Sequence, residues 1–152
     1  MQLTRIDLNT WLVRLAGKTI LIDPWLVDPL IFYGQPWLFK ASHAVPPIYT
    51  PQTLPTLDLI LLSQGLDDHC HEPTLRQLDR QVSVVGCRAA ASTVQALGYR
   101  SVYALAPWQK HQMGDLSIEA VPGPQIQGQT QNGYLLRDLK DGTVLYYEPH
   151  LC

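Results

Sequence analysis

The sequence predicts an α/β (α+β) fold in which strands come first and helices enter later, and three observations carry that prediction. QLTRIDL and TWLVRLA alternate polar and apolar residues at period two, the pattern of half-buried strands. LDLILLS and VSVVG are continuous apolar runs bounded by turn signals, as expected of strands covered on both faces. TLRQLDRQ and RAAASTVQALG follow those two runs as helical segments.

Taken in order, KTILIDP continues after the turn residue Gly17, so the opening reads as an antiparallel meander. From Trp25 to Pro55 regularity fails, and many prolines with several large aromatics (Phe32, Tyr33, Trp37, Phe39, Tyr49) indicate a long ordered loop. Its aromatic density suits a substrate-covering lid and a dimer contact equally. Glu72 and Pro73 suit the first turn of the TLRQLDRQ helix, and Gly98 suits the C-cap of the next one. SVYAL, HQMGDLSIEAV, NGYLLRD and GTVLYYE complete the strands, with a hairpin at LKDGT. There is no internal repeat and no low-complexity tract.

The 152 residues suit a single domain spanning 1–152. A net charge of -2 offers no basic face to neutralise phosphates and argues against nucleic acid as a partner. Hydrophobic residues make up 46% of the chain and charged residues only 16%, so a homodimer that covers apolar surface is expected. The first residues lack the apolar stretch of a signal peptide, and no apolar run approaches the roughly 20 residues of a membrane span. Cys70, Cys87 and Cys152 are an odd, scattered set, consistent with reduced thiols and a cytoplasmic setting.

The segment LILLSQGLDDHCHEP, Leu59 to Pro73, begins as a buried strand and ends in a cluster of acids and histidines. Asp67, Asp68, His69 and His71 fall within five positions, with Cys70 between the histidines, and such crowding suggests a metal site. In an extended segment His69 and His71 share one side; in a helical turn they diverge. The structural alternative has Asp68 capping the following helix, His69 hydrogen-bonded to a neighbour and Cys70 as a plain buried thiol. His43 and His111 have no motif around them and are read as structural.

Four stretches together resemble the metallo-β-lactamase superfamily. TWLVRLAGKTILIDPWL is similar to the family's opening hairpin, ending in Asp-Pro. Ser63-Gln64-Gly65-Leu66-Asp67-Asp68-His69 occupies the frame of its Thr/Ser-His-x-His-x-Asp-His motif. IEAVPGPQ stands where the family has a strand and Pro-Gly-His, and GTVLYYEPH where a strand delivers an aspartate. The resemblance implies a partial or dimer-completed αββα sandwich, holding only the first part of the usual domain. A chain of that extent leaves an apolar face uncovered, which a second copy closes in a two-fold dimer unless the chain is a fragment of a longer product.

The departures from the pattern are as informative. The positions of the first metal's histidines hold Gln64, Leu66 and Pro124, and leucine and proline cannot coordinate an ion. The resemblance therefore implies loss of the two-metal centre. Asp68 and His69 match the family's Asp-His pair, with Asp68 also acting on the attacking water. Glu148 or His150 replaces the bridging aspartate, and His71 is a further candidate. This set implies one zinc, iron or manganese ion, or none, and no organic cofactor. Asp23 matches a strand-end aspartate of supporting role. The implied activity is weak or absent hydrolysis of an ester, lactone or phosphodiester; the alternative is a non-enzymatic binding module.

Overall fold

A computed structural model describes residues 1–126 and 128–149; His150 and Cys152, named above, lie outside the described residues. Three strands open the chain: β1 (Gln2–Asp7), β2 (Thr10–Leu15) and β3 (Lys18–Ile22), paired antiparallel as the period-two pattern predicts. The β2–β3 turn runs through Ala16 and Gly17, both at positive φ. The long loop follows, interrupted by a small hairpin of β4 (Leu30–Ile31) and β5 (Lys40–Ala41). Next come β6 (Leu59–Leu62), helix α1 (Glu72–Leu75), β7 (Ser83–Gly86), helix α2 (Arg88–Ala96) and β8 (Val102–Ala104). Four further strands end the described chain: β9 (Lys110–Met113), β10 (Leu116–Ile126), β11 (Gln129–Asp138) and β12 (Val144–Tyr147).

The strands form two stacked sheets. The first has the order β1-β2-β3-β6-β7-β8, antiparallel up to β3 and parallel beyond; the second is an antiparallel β12-β11-β10-β9 sheet. Alternation explains the layering. Leu21, Ile60, Leu62 and Val84 face the helices and pack on Leu75, Ala90 and Val94. Ile20, Ile22, Leu59, Leu61 and Val85 face the second sheet and meet Leu116, Ile118, Tyr134 and Leu136. Strand β6 is thus buried on both sides, which is why LILL is unbroken.

Two elements differ from the sequence reading. The helix read at TLRQLDRQ is a single turn, Glu72–Leu75, because Asp79 ends the segment by accepting from the Gln81 amide through its side chain and from Val82 through its carbonyl. HQMGDLSIEAV is a hairpin of β9 and β10, turned at Gly114 (φ 60). Helix α2 closes at Gly98 (φ 92), whose amide donates to Gln95 O while Tyr99 N donates to Val94 O. The hairpin between β11 and β12 stands where LKDGT places it.

The uncovered apolar surface also differs from expectation. The interior between the sheets is closed over Leu116, Ile118 and Tyr134, all fully buried. What stays open is the margin under β1, since six strands lie over four. Leu3 and Val13 are cross-strand partners on one face, yet Val13 is 1% exposed and Leu3 44%.

The sheets are pinned together at the start of the motif. The Tyr134 hydroxyl donates to Leu62 O at 3.0 Å and lies 3.1 Å from Asn132 Nδ2, which also donates to Leu105 O at 2.9 Å. The Asn132 amide donates to Ser63 O at 3.0 Å. Replacing Tyr134 by Phe leaves Leu62 O with only the Cys87 amide and strands one Asn132 amide hydrogen, so we expect a loss of about 1–3 kcal/mol in urea denaturation with an unchanged m-value.

Candidate functional site

The site is built at the ends of β3 and β6, where the chain turns out of the first sheet. Asp23 follows β3 at a positive φ of 43, a conformation that aspartate adopts more readily than most residues. Its amide donates to Leu61 O, and its carbonyl accepts from Thr10 Oγ1 at 2.9 Å. These contacts hold the carboxylate inward, fully buried.

Four donors converge on that carboxylate. Ser63 supplies its amide at 2.8 Å and its hydroxyl at 2.5 Å. Tyr147, from the second sheet, donates at 2.7 Å, and His69 Nδ1 at 2.8 Å. Burial explains the set, since an unpaired carboxylate in this setting is prohibitively unstable.

His69 is fully buried and lies between two acids. Its Nε2 is 3.3 Å from Asp68 Oδ2 and 3.3 Å from the Asn9 side-chain amide. Burial alone favours the neutral ring, but the hydrogen bonds and charges of Asp23 and Asp68 outweigh it and raise the pKa to about 9. With that pKa the ring carries one positive charge at neutral pH, set between the two acids. Burial likewise pushes the Tyr147 hydroxyl well up, reinforced by Asp23, so it remains a donor.

The motif is a turn, in which Leu66 O accepts from the amides of both His69 and Cys70, so the two histidines diverge. The structure does not bring His71 to the cluster: its Nδ1 lies 2.9 Å from Thr74 Oγ1 and its Nε2 3.3 Å from Pro29 O, and burial lowers its pKa. Cys70 is buried with its thiol pushed up by that burial, the state of an inert thiol. Asp67 accepts from the Tyr33 amide at 2.8 Å and ties the long loop to the motif. Glu148 follows β12 and packs its carboxylate over Gly133, in a groove it shares with Asn9. His43 stacks on Trp25 at 3.9 Å and bonds to Asp28, a structural placement.

Gln64 is fully buried, and among the described residues neither of its amide atoms has a hydrogen-bond partner. Asp68 and His69 bring two donors together, whereas zinc takes three or four. Among the described residues no three His, Cys, Asp or Glu side chains converge as a metal site. The described residues therefore do not fit the two-metal centre that the fold implies, and offer a single ion Asp68 and His69.

Residues 2–152 match a family model described as the beta-lactamase superfamily domain. The chain belongs to this superfamily. No curated protein matches it in sequence. Among solved structures, this superfamily member is similar to an isothiocyanate hydrolase from Delia radicum gut bacteria, at 19% identity and a TM-score of 0.74, over 96% of this chain and 61% of that one. A possible metal-dependent hydrolase from Veillonella parvula matches at 13% identity and a TM-score of 0.80, over 97% and 62%. The diiron beta-hydroxylase CmlA from Streptomyces venezuelae matches at 17% and 0.72, over 97% and 29%. These likenesses show the fold, and the chain spans less than two thirds of each of these structures.

Sequence reasoning placed Asp23 in a supporting role and missed Asn9 and Tyr147 altogether. Nothing marks Tyr147 except its inward place in the alternation of β12.

The raised His69 pKa has a stability consequence. A protonated ring that Asp23 and Asp68 favour adds stability fully present below pH 6.5 and lost as pH rises through about 9. The shift corresponds to roughly 3 kcal/mol. Denaturation midpoints measured from pH 6 to 10 should fall across that window, and the slope should flatten in His69→Gln.

Proposed function

We propose that the chain is a hydrolase-like superfamily member that has lost the two-metal centre and keeps at most one ion. Asp68 and His69 are its donors, joined by Glu148 or by His150, which lies outside the described residues. The observation that supports this most is the buried 2.8 Å bond between Asp23 and His69 Nδ1, which fixes the ring and aims Nε2 at Asp68. A histidine held through one nitrogen in this way presents the other as an oriented ligand or proton donor.

The same geometry limits ion binding. An ion at Nε2 displaces the proton that Asp23 and Asp68 favour there, so affinity rises with pH up to about 9. In turnover Asp68 orients the attacking water, and an ester, lactone or phosphodiester is the substrate class that the resemblance supports.

A second reading, a non-enzymatic binding module, draws support from Gln64. Its unpartnered amide stands where a ligand is expected and suits hydrogen bonding to a small polar molecule. In both readings the chain is one domain and a homodimer. The hairpin tip supports the dimer, with Trp37, Leu38 and Phe39 at 79%, 58% and 54% exposed.

Zinc titration of chelator-treated protein by calorimetry at pH 6.5 and 8.5 separates the readings. We expect no more than one ion per chain, bound about a hundredfold more tightly at the higher pH and not at all in His69→Ala. Absence of zinc binding at both pH values, with no hydrolysis in an ester, lactone and phosphodiester screen, would retire the hydrolase reading in favour of the module.

A further inference from the structure

A pocket of about 360 Å³ opens at the carboxyl ends of β7 and β8, beside the first residue of α2. Its lining includes Arg88, Leu105, Pro107, Gln109, Thr130 and Asn132. Those walls come from the β7–α2 junction, the β8–β9 connection and the β10–β11 hairpin. Strands β8 and β9 are the edges of their sheets opposite β1 and β12, so the last described strand stands on the other flank. The carboxyl edge of parallel strands is where open α/β sheets bind small ligands, and the volume is that of a small-molecule site.

The polar groups of the pocket are held in fixed orientations. Asn132 is 1% exposed, and its side-chain amide nitrogen is committed to Leu105 O at 2.9 Å and the Tyr134 hydroxyl at 3.1 Å. Leu105 O can only accept, so the amide cannot be turned over. Asn132 Oδ1 takes no hydrogen bond among the described residues and is the atom this wall offers to an occupant. Gln109 is fixed in the same way: its Oε1 accepts from the Ala106 amide at 2.9 Å, which leaves its two amide hydrogens to donate. Thr130 Oγ1 accepts from Gln125 and keeps its hydroxyl hydrogen. The β8–β9 connection is tied to β10, with the Trp108 amide on Ala120 O at 2.7 Å and the Ala120 amide on Gln109 O at 3.0 Å.

Charge narrows the choice of ligand. Arg88 carries the only formal charge among the described lining residues, and its guanidinium has no ion pair among the described residues. One cation without a counter-ion suits a monoanion, and the planar fork of a guanidinium matches a carboxylate. A fixed carbonyl oxygen in a buried wall calls for a donor on the ligand, because leaving it unpaired under a bound molecule is costly. Leu105 and Pro107 beside it suit a short carbon chain.

We propose that this pocket binds a small hydroxy carboxylic acid, with its carboxylate on Arg88 and its hydroxyl donating to Asn132 Oδ1. Its carbon chain packs on Leu105 and Pro107, and Gln109 and Thr130 donate to the remaining oxygen lone pairs. None of these lining residues belongs to the Asp23–His69 cluster. The two regions adjoin where the Asn132 amide donates to Ser63 O.

The probe is 2-hydroxyhexanoate, titrated into the ¹⁵N-labelled full chain and followed by amide NMR. We expect saturable shifts centred on Ala104, Leu105, Ala106 and Thr130. Binding should weaken about tenfold in Arg88→Gln, a substitution at an exposed position whose folding is checked by the rest of the spectrum. A similar loss is expected with 2-hydroxyhexanamide, which lacks the charge, and with hexanoate, which lacks the hydroxyl. Equal binding to Arg88→Gln, or of either analogue, would overturn the proposal. So would shifts confined to Asp68 and His69, which place the acid at the candidate site, or no saturation by about 10 mM.

Discussion

The carboxylate of Asp23 sits fully buried at the end of β3 and takes hydrogen bonds from Ser63, His69 and Tyr147. Those three residues come from the end of β6, from the motif turn and from the second sheet. The charge must be satisfied, and satisfying it fixes where all three elements stand. The strand ends, the turn and the sheet stacking are therefore coupled through one group. Removing any donor leaves a buried anion short of a partner, which is more damaging than losing an ordinary surface hydrogen bond.

A cation completes this arrangement. In His69 the proton on the ring, favoured by Asp23 and Asp68, sets one positive charge between their two carboxyl groups. The surroundings fit that balance: Leu66 and Pro124 add no donor, Gln64 adds a neutral amide, and His71 is committed to Thr74 and Pro29. The polar cluster is thus an integral part of the buried structure, and any ion that binds there competes with a proton.

Much of the fold was legible in the sequence because burial on one or both faces writes itself into periodicity. The meander, the unbroken β6 and the β11–β12 hairpin follow from alternation and turn residues alone. The single-turn helix at Glu72 was misread because Asp79, a local turn former, overrides a short helical pattern. The candidate site was half legible. Asp68 and His69 stand out as a motif, but the pairing of His69 with Asp23, 46 residues away, and of Tyr147 with the same carboxylate is set by tertiary packing. The divergence of His71 depends on whether five residues turn or extend, which composition does not decide.

The most direct measurement is the protonation state of His69 by NMR of selectively ¹⁵N-labelled histidine, titrated from pH 5 to 10. Both ring nitrogens are expected to carry protons at pH 7, with the ring titrating near pH 9. A neutral His69 ring at pH 7 would contradict it, because Asp23 and Asp68 would then face each other across the ring with no positive charge between them.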